Sequence, residues 1–371
     1  MSRQFIARTA LAALAAGAIA VLAAPALACT TFRIQSQDGA WLVARSMEFG
    51  QDLKSEVMLV PRGYRLTTTR PDLKPGMGWE VKHGFLGINA FGLDVALDGM
   101  NEAGLSVGVL YIPGFVEYQP FPPDGRHAVS NLEFGNWVLS QFATVGEVRE
   151  ALAKVAVYDL DLPPSGRQPL HWSIADAQGG ALVVEYVGGK LHLHDNPIGV
   201  LTNSPTFDWH QTNLRNYINL TSINVDALKL GSVKVLPLGQ GTGLLGLPGD
   251  YTPPSRFVKA TALAYAALPV ATAPEAANLA FHILNAVDIP LGAIVETVPS
   301  PTGGAPTLSY DRSEWATVYD LKDRITYFRT YGDLNIRKLD LTRFDFGGKA
   351  IVHVPMPTTM QAQDVTPAAG N

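Results

Sequence analysis

The sequence predicts an α+β fold built on antiparallel sheets. Runs alternating between apolar and polar residues, the period of a half-buried strand, come in blocks at positions 30–46, 181–194 and 314–328, whereas helical spacing is confined to 130–155 and 255–287. Strands and helices gathered in long separate blocks favour antiparallel sheets over repeated βαβ units. The 371 residues, 47% apolar and 16% charged, suffice for a large core and exclude general disorder. No repeat or linker interrupts 29–355, which is read as one domain.

The first 28 residues read as an export signal. Arg3 and Arg8 open it, an uncharged run from Thr9 to Ala28 follows, and Pro25-Ala26-Leu27-Ala28 places small residues at the A-x-A cleavage positions. Cleavage between Ala28 and Cys29 leaves a periplasmic or secreted chain that begins with its single cysteine. Two other readings stand beside this one. The run is long enough for a retained membrane anchor, although Gly17, Pro25 and the excess of alanine over leucine argue against it. Cys29 also has the place of a lipid-carrying cysteine, although Ala26 is smaller than such signals prefer. One cysteine excludes a disulfide framework and any multi-thiolate metal site.

Thr30 to Gln35 and Trp41 to Ser46 alternate on either side of Gln37-Asp38-Gly39 and predict a hairpin. A turn centred near 37–38 makes facing positions sum to about 75, which sets Cys29 opposite about position 46 and brings Arg45 and Glu48 to its flanks. By spacing alone, those two are an ordinary surface ion pair.

Ser130 with Glu133 and Thr144 with Glu147 are candidate capping boxes for helices carrying Trp137, Val138, Val148, Leu152 and Val155. Ala181–Val187 and Lys190–His194 flank Gly188-Gly189 as a second hairpin, and Gly199–Thr202 reads as a short strand running into Asn203. Helical spacing returns from Ser255 to about Val287, with Pro274 as a first helical residue. Positions 356–371, rich in Thr, Gln, Ala and Pro, read as a flexible tail.

Other classes fail on particular residues. Lys plus Arg (28) against Asp plus Glu (33) gives a net charge of −5 with no basic block, so nucleic acid is not an expected partner. Gly104-Leu105-Ser106-Val107-Gly108 matches a serine nucleophile elbow, but a strand-like run broken by Pro113-Gly114 follows where a helix is required. Gly239–Gly243 lacks the Lys-Ser/Thr ending of a phosphate loop. His192 and His194 share a strand face without a further metal ligand beside them. No cofactor is expected.

A terminal cysteine is useful chemistry. A thiol of pKa about 8.5 is mostly protonated at neutral pH, whereas an α-amine near about 7.7–8.0 is partly free to accept its proton. Nucleophile and base then share one residue. Lipidation of the nitrogen abolishes the arrangement.

A chain starting Cys29-Thr30-Thr31-Phe32 and continuing with Ala44-Arg45-Ser46-Met47-Glu48 resembles the choloylglycine hydrolase family of bile salt hydrolases and penicillin V acylases. The likeness extends through Asp98–Leu105, Leu201–Trp209 and Gly239–Phe257. It implies a four-layer αββα sandwich of the N-terminal nucleophile type and a homotetramer. It also implies roles: Cys29 as nucleophile and base, Arg45 and Arg256 near the sulfur, Glu48 holding the amine, and Asn203 with Tyr111 at the oxyanion. Guanidinium groups favour a thiolate, and amide or hydroxyl donors stabilise a developing oxyanion. Glu48 departs from the family's usual aspartate by one methylene. Tyr111 follows the penicillin V acylases where bile salt hydrolases carry asparagine. The substrate class implied is therefore a small linear N-acyl amide, with phenoxyacetyl penicillins and N-acyl homoserine lactones first and conjugated bile salts as the alternative. A lipid-anchored, non-catalytic protein of the same fold is the other alternative. Trp79, Phe85, Phe91 and Phe115 are candidates for an acyl pocket, with core packing as the competing role.

Overall fold

The computed structural model describes residues 28–162, 166–298 and 305–367. The expected export signal, residues 1–28, lies outside them except for Ala28. Strands Ala28–Gln35 (β1) and Trp41–Phe49 (β2) form the expected hairpin. Gly39 turns it at φ +86°, and the Asp38 carboxylate accepts from the Ser36 hydroxyl and the Ala40 amide. Cys29 faces Met47, one position from the sequence estimate.

β1 and β2 belong to a six-stranded antiparallel sheet completed by Thr307–Asp320, Ile325–Thr330 and Arg337–Asp340, with Ile294–Val298 pairing the outer half of Thr307–Asp320. A second antiparallel sheet runs in the order Lys190–Asp195, Ala181–Val187, Leu170–Ala175, Ser106–Tyr111, Leu93–Asn101, Phe85–Ala90, Glu56–Val60 and Val352–Pro355. Helices Phe134–Gln141 (α1) and Val145–Leu152 (α2) cover its outer face, where Trp137, Val138 and Val148 meet Val107, Val109 and Trp172. Helices Pro253–Ala266 (α4) and Ala273–Asn285 (α5) cover the first sheet, and the short helix Phe207–Asn213 (α3) adjoins α4. The inner faces of the two sheets share a core that includes Phe32, Leu42, Leu86, Met100, Leu110 and Val318. The four layers are therefore α, β, β, α.

Four local expectations change. Ser130 ends a short strand and its hydroxyl accepts from the Glu133 amide, but the cap position of α1 is Glu133 itself, so Ser130 closes the turn before the helix. Val155 lies past the end of α2, whose cap Thr144 accepts from Glu147 as foreseen. The run from Ser255 to Val287 is two helices, because Pro269 and the Thr272–Glu275 capping box restart the chain; Pro274 is thus the second residue of α5. Gly199–Thr202 makes only a bridge, with Thr31 and Leu201 exchanging both main-chain bonds at 2.8 and 2.9 Å. In the tail, Pro357 O accepts from Thr330 Oγ1, and Gln361 O accepts from Asn335 Nδ2. Among the described residues no helix is long and apolar enough to cross a membrane.

Candidate active site

Cys29 is the second residue of β1 and is 1% exposed. The Thr31–Leu201 bridge fixes the strand that precedes Asn203, and the two residues meet: the Cys29 amide donates to Asn203 Oδ1 at 2.7 Å. The Asn203 oxygen also accepts from Arg256 Nη2 at 2.6 Å, and its nitrogen donates to the main-chain carbonyl of Tyr111 at 2.8 Å. Because Arg256 and the Cys29 amide can only donate, they fix which end of the Asn203 side chain is oxygen. One of the two Nδ2 hydrogens remains for a substrate.

Arg256 comes from the first turn of α4. Its Nη1 donates to Cys29 O at 2.5 Å and to Thr30 Oγ1 at 2.7 Å, and its Nε donates to Tyr251 O at 2.9 Å. Arg45 comes from β2, opposite Thr31. Its Nη2 lies 3.6 Å from the Cys29 sulfur and donates to Val109 O; its Nη1 donates to Leu97 O and lies 3.4 Å from Asp98 Oδ1. The Arg45 guanidinium also sits 5.4 Å from the centre of the Trp315 ring.

Burial raises the Cys29 thiol above its ordinary range and outweighs the opposite pull of Arg45; Glu48 adds to the rise. Two guanidinium groups therefore do not by themselves give a low thiol pKa in a site this closed. Glu48 faces Ala28 across the hairpin. It accepts from the Ser313 hydroxyl at 3.3 Å through Oε1, while Oε2 is buried without a hydrogen-bond partner. Burial pushes its carboxyl up to about 7, against the pull of Arg256. The hydrogen of the Cys29 nitrogen goes to Asn203 and not to Glu48.

Tyr111 contributes its backbone to the site. Its side chain packs with Val107, Val109 and Trp172 in the outer cluster, and its hydroxyl is held up to about 12 by burial. The expectation of a hydroxyl donor is corrected accordingly. Ile112 N donates to Pro169 O, so by ladder alternation the N–H and C=O of Tyr111 both point away from strand Leu170–Ala175 and toward Asn203.

This arrangement can activate a sulfur and receive a carbonyl oxygen. The family model described as linear amide C–N hydrolases, choloylglycine hydrolase family, matches residues 29–353. The chain belongs to that family. A choloylglycine hydrolase relative, the bile salt hydrolase/transferase of Clostridium perfringens, is 34% identical over 87% of this chain and 95% of its own. The crystal structure of a variant conjugated bile acid hydrolase from Clostridium perfringens aligns with TM-score 0.80 and 32% identity over 91% of this chain and all of that one. That of the penicillin V acylase from Agrobacterium tumefaciens aligns with TM-score 0.68 and 27% identity over 88% and 91%. The αββα layering of this chain is thus the family's N-terminal nucleophile fold.

Sequence reasoning passed over several residues of this choloylglycine hydrolase site. Asp98 pairs with Arg45 and accepts from Thr317 Oγ1 at 2.7 Å and Tyr319 OH at 2.8 Å. The pair Thr317 and Tyr319, two apart and therefore on one face of their strand, was the available signal. Met47 Sδ lies 3.6 Å from the sulfur. His210 Nε2 faces Asn203 O at 2.8 Å. The decoys separate cleanly: Ser106 is buried inside a strand and donates to Ala175 O, and His192 and His194 stack at 6.3 Å. Among the described residues no group of three or more potential ligands gathers for a metal. Phe85 is core and Trp79 Nε1 donates to Ser140 Oγ, whereas Phe91 and Phe115 are 46% and 41% exposed.

Proposed function

We propose that this chain is an exported amidohydrolase that cleaves linear N-acyl amides, with Cys29 as its N-terminal nucleophile. The observation that carries this reading is the double role of Asn203, whose oxygen holds the Cys29 nitrogen while its amide nitrogen keeps one hydrogen in reserve. Release of Ala28 converts that nitrogen to an amine, which takes the thiol proton. The sulfur attacks the acyl carbon, and the oxyanion receives hydrogens from Asn203 Nδ2 and the Tyr111 main-chain N–H. Collapse breaks the C–N bond as the ammonium returns its proton to the leaving nitrogen, giving a thioester and a free amine. Water, deprotonated by the α-amine, adds to the thioester; the acid leaves and the thiol is restored. Arg45 and Arg256 hold charge near the sulfur, and Glu48 Oε2 stands ready for the additional hydrogens of a free amine. The family match beginning at Cys29 supports this boundary.

Phenoxyacetyl penicillins and N-acyl homoserine lactones are the proposed substrates, supported by the likeness to a penicillin V acylase. Conjugated bile salts are the second reading, favoured by the 34% identity to a bile salt hydrolase/transferase. We carry a homotetramer as the proposed assembly: the arm containing Ile218, Ile223, Leu228, Leu230, Val233 and Leu238 exposes aliphatic surface that a second copy would cover.

The test has two parts. Mass analysis of the secreted chain is expected to find a free Cys29 terminus, and a blocked nitrogen removes the mechanism. Turnover of penicillin V, an N-acyl homoserine lactone and glycocholate, compared directly, ranks the substrates. Preference for glycocholate reverses the ranking proposed here.

A further inference from the structure

Asn203 lies just beyond a two-residue bridge, so no sheet ladder satisfies the carbonyls on either side of its Cα. Two histidines take them. His171 Nε2 faces Thr202 O at 2.9 Å, and His210 Nε2 faces Asn203 O at 2.8 Å. His171 is itself seated, with Nδ1 3.0 Å from Glu185 Oε1. Glu185 also accepts from the Phe207 amide at 3.1 Å, tying the start of α3 to the same carboxylate. His210 stacks on Phe257 of α4 at 4.7 Å and 9°. All three polar side chains are buried.

The two peptide planes that flank a Cα set its φ and ψ, and with them the direction of the side chain. We propose that His171, seated on Glu185, and His210 are positioning residues that clamp the carbonyls of Thr202 and Asn203 and thereby aim the Asn203 amide at the reacting carbonyl. His210 meets the requirement of a donor at Nε2. Burial holds its pKa down to about 4, so it is neutral at working pH, and its Nδ1 is left without a hydrogen-bond partner, as expected of the tautomer that donates through Nε2. The ring pair with Phe257 links this clamp to α4, the helix that also supplies Arg256. The helix that supplies one partner of the Asn203 amide oxygen therefore also packs against one of the two carbonyl clamps.

The inference rests on the reading of Asn203 as an oxyanion donor, and the experiment separates the two. Kinetics and melting temperature are measured on the mature protein with whichever of penicillin V, an N-acyl homoserine lactone and glycocholate it turns over fastest. His210→Phe keeps the ring stack and removes the donor; it is expected to lower kcat by about 10- to 100-fold with KM within about twofold, the pattern of a contact made in the transition state. His210→Gln restores an N–H donor and is expected to recover kcat to within about threefold of the parent. Glu185→Gln is expected to lower kcat with KM held, and it carries the test if His210→Phe fails to fold. In an Asn203→Ala background neither change is expected to cost further turnover. An Asn203→Ala variant with parental kcat overturns the oxyanion reading. If Asn203→Ala is impaired but His210→Phe and Glu185→Gln keep parental kcat, the clamp is overturned. It is likewise overturned if their losses are the same factor in both backgrounds.

Discussion

Arg45 and Asp98 form an ion pair between the two sheets, 3.4 Å apart and closed to solvent on both sides. Asp98 holds in place the guanidinium whose other arm reaches the Cys29 sulfur. Asp98→Ala leaves a buried cation uncompensated, and we expect it to cost about 3–5 kcal/mol in urea unfolding. Asp98→Asn, which can still accept from Thr317 and Tyr319, is expected to cost less and, by removing the anion that offsets Arg45, to lower the pH at which iodoacetamide alkylates Cys29. An unchanged alkylation profile would separate the pair from the thiol's chemistry.

Cys29→Ala removes one sulfur from a site otherwise bonded through main chain and Asn203. We expect amide hydrolysis to fall by at least about a thousandfold while circular dichroism is unchanged. Residual turnover near the parental rate would refute the nucleophile assignment.

Glu48 and His210 give opposite pH dependences in a chain that retains Ala28. With Glu48 held at about 7, the native state keeps a proton that the unfolded chain releases near about 4.3, so its contribution to stability falls as pH rises between those values. With His210 held at about 4, the unfolded chain binds a proton that the native state does not, up to about 6.5, so its contribution rises through that range. Glu48→Gln is expected to make the melting temperature climb more steeply between pH 4.5 and 6.5 than in the parent. A parallel shift of the whole profile would remove Glu48 as the source.

Ser106→Ala tests the serine decoy. Its hydroxyl makes one buried bond at 3.3 Å, so we expect a loss of about 1 kcal/mol and parental turnover. Any marked loss of kcat would reopen the serine hydrolase reading.

The exposed arm gives a test of assembly. Leu230→Ser with Val233→Ser, both more than half exposed, is expected to shift light-scattering mass from the proposed tetramer toward smaller species. An unchanged mass would place the contacts elsewhere.

What was legible in the sequence was local. Period and turn chemistry located the first hairpin to within one residue, because Asp38 and Gly39 fix the turn and one slipped residue would turn Phe32 and Ile34 out of the core. The glycine pair between Val187 and Lys190 worked the same way. Roles set by tertiary contact were not legible. Nothing near Asp98 in the sequence marks it as the partner of Arg45, and a tyrosine code does not tell whether position 111 offers a hydroxyl or a peptide group. Strand parity decides that, and parity depends on which neighbour the strand pairs with. The balance at Cys29 was also out of reach, since it compares two nearby cations with a degree of burial that only the packed sheets create.

Arg256 is bonded to a residue 227 positions earlier in the chain, and that distance orders events during synthesis. A ribosome that has released only the first sheet strands has made the sulfur but none of the groups near positions 203 and 256 that surround it. The proposed catalytic centre is therefore one of the last things the polypeptide acquires, so a chain cut short before position 256 is expected to lack amidase activity.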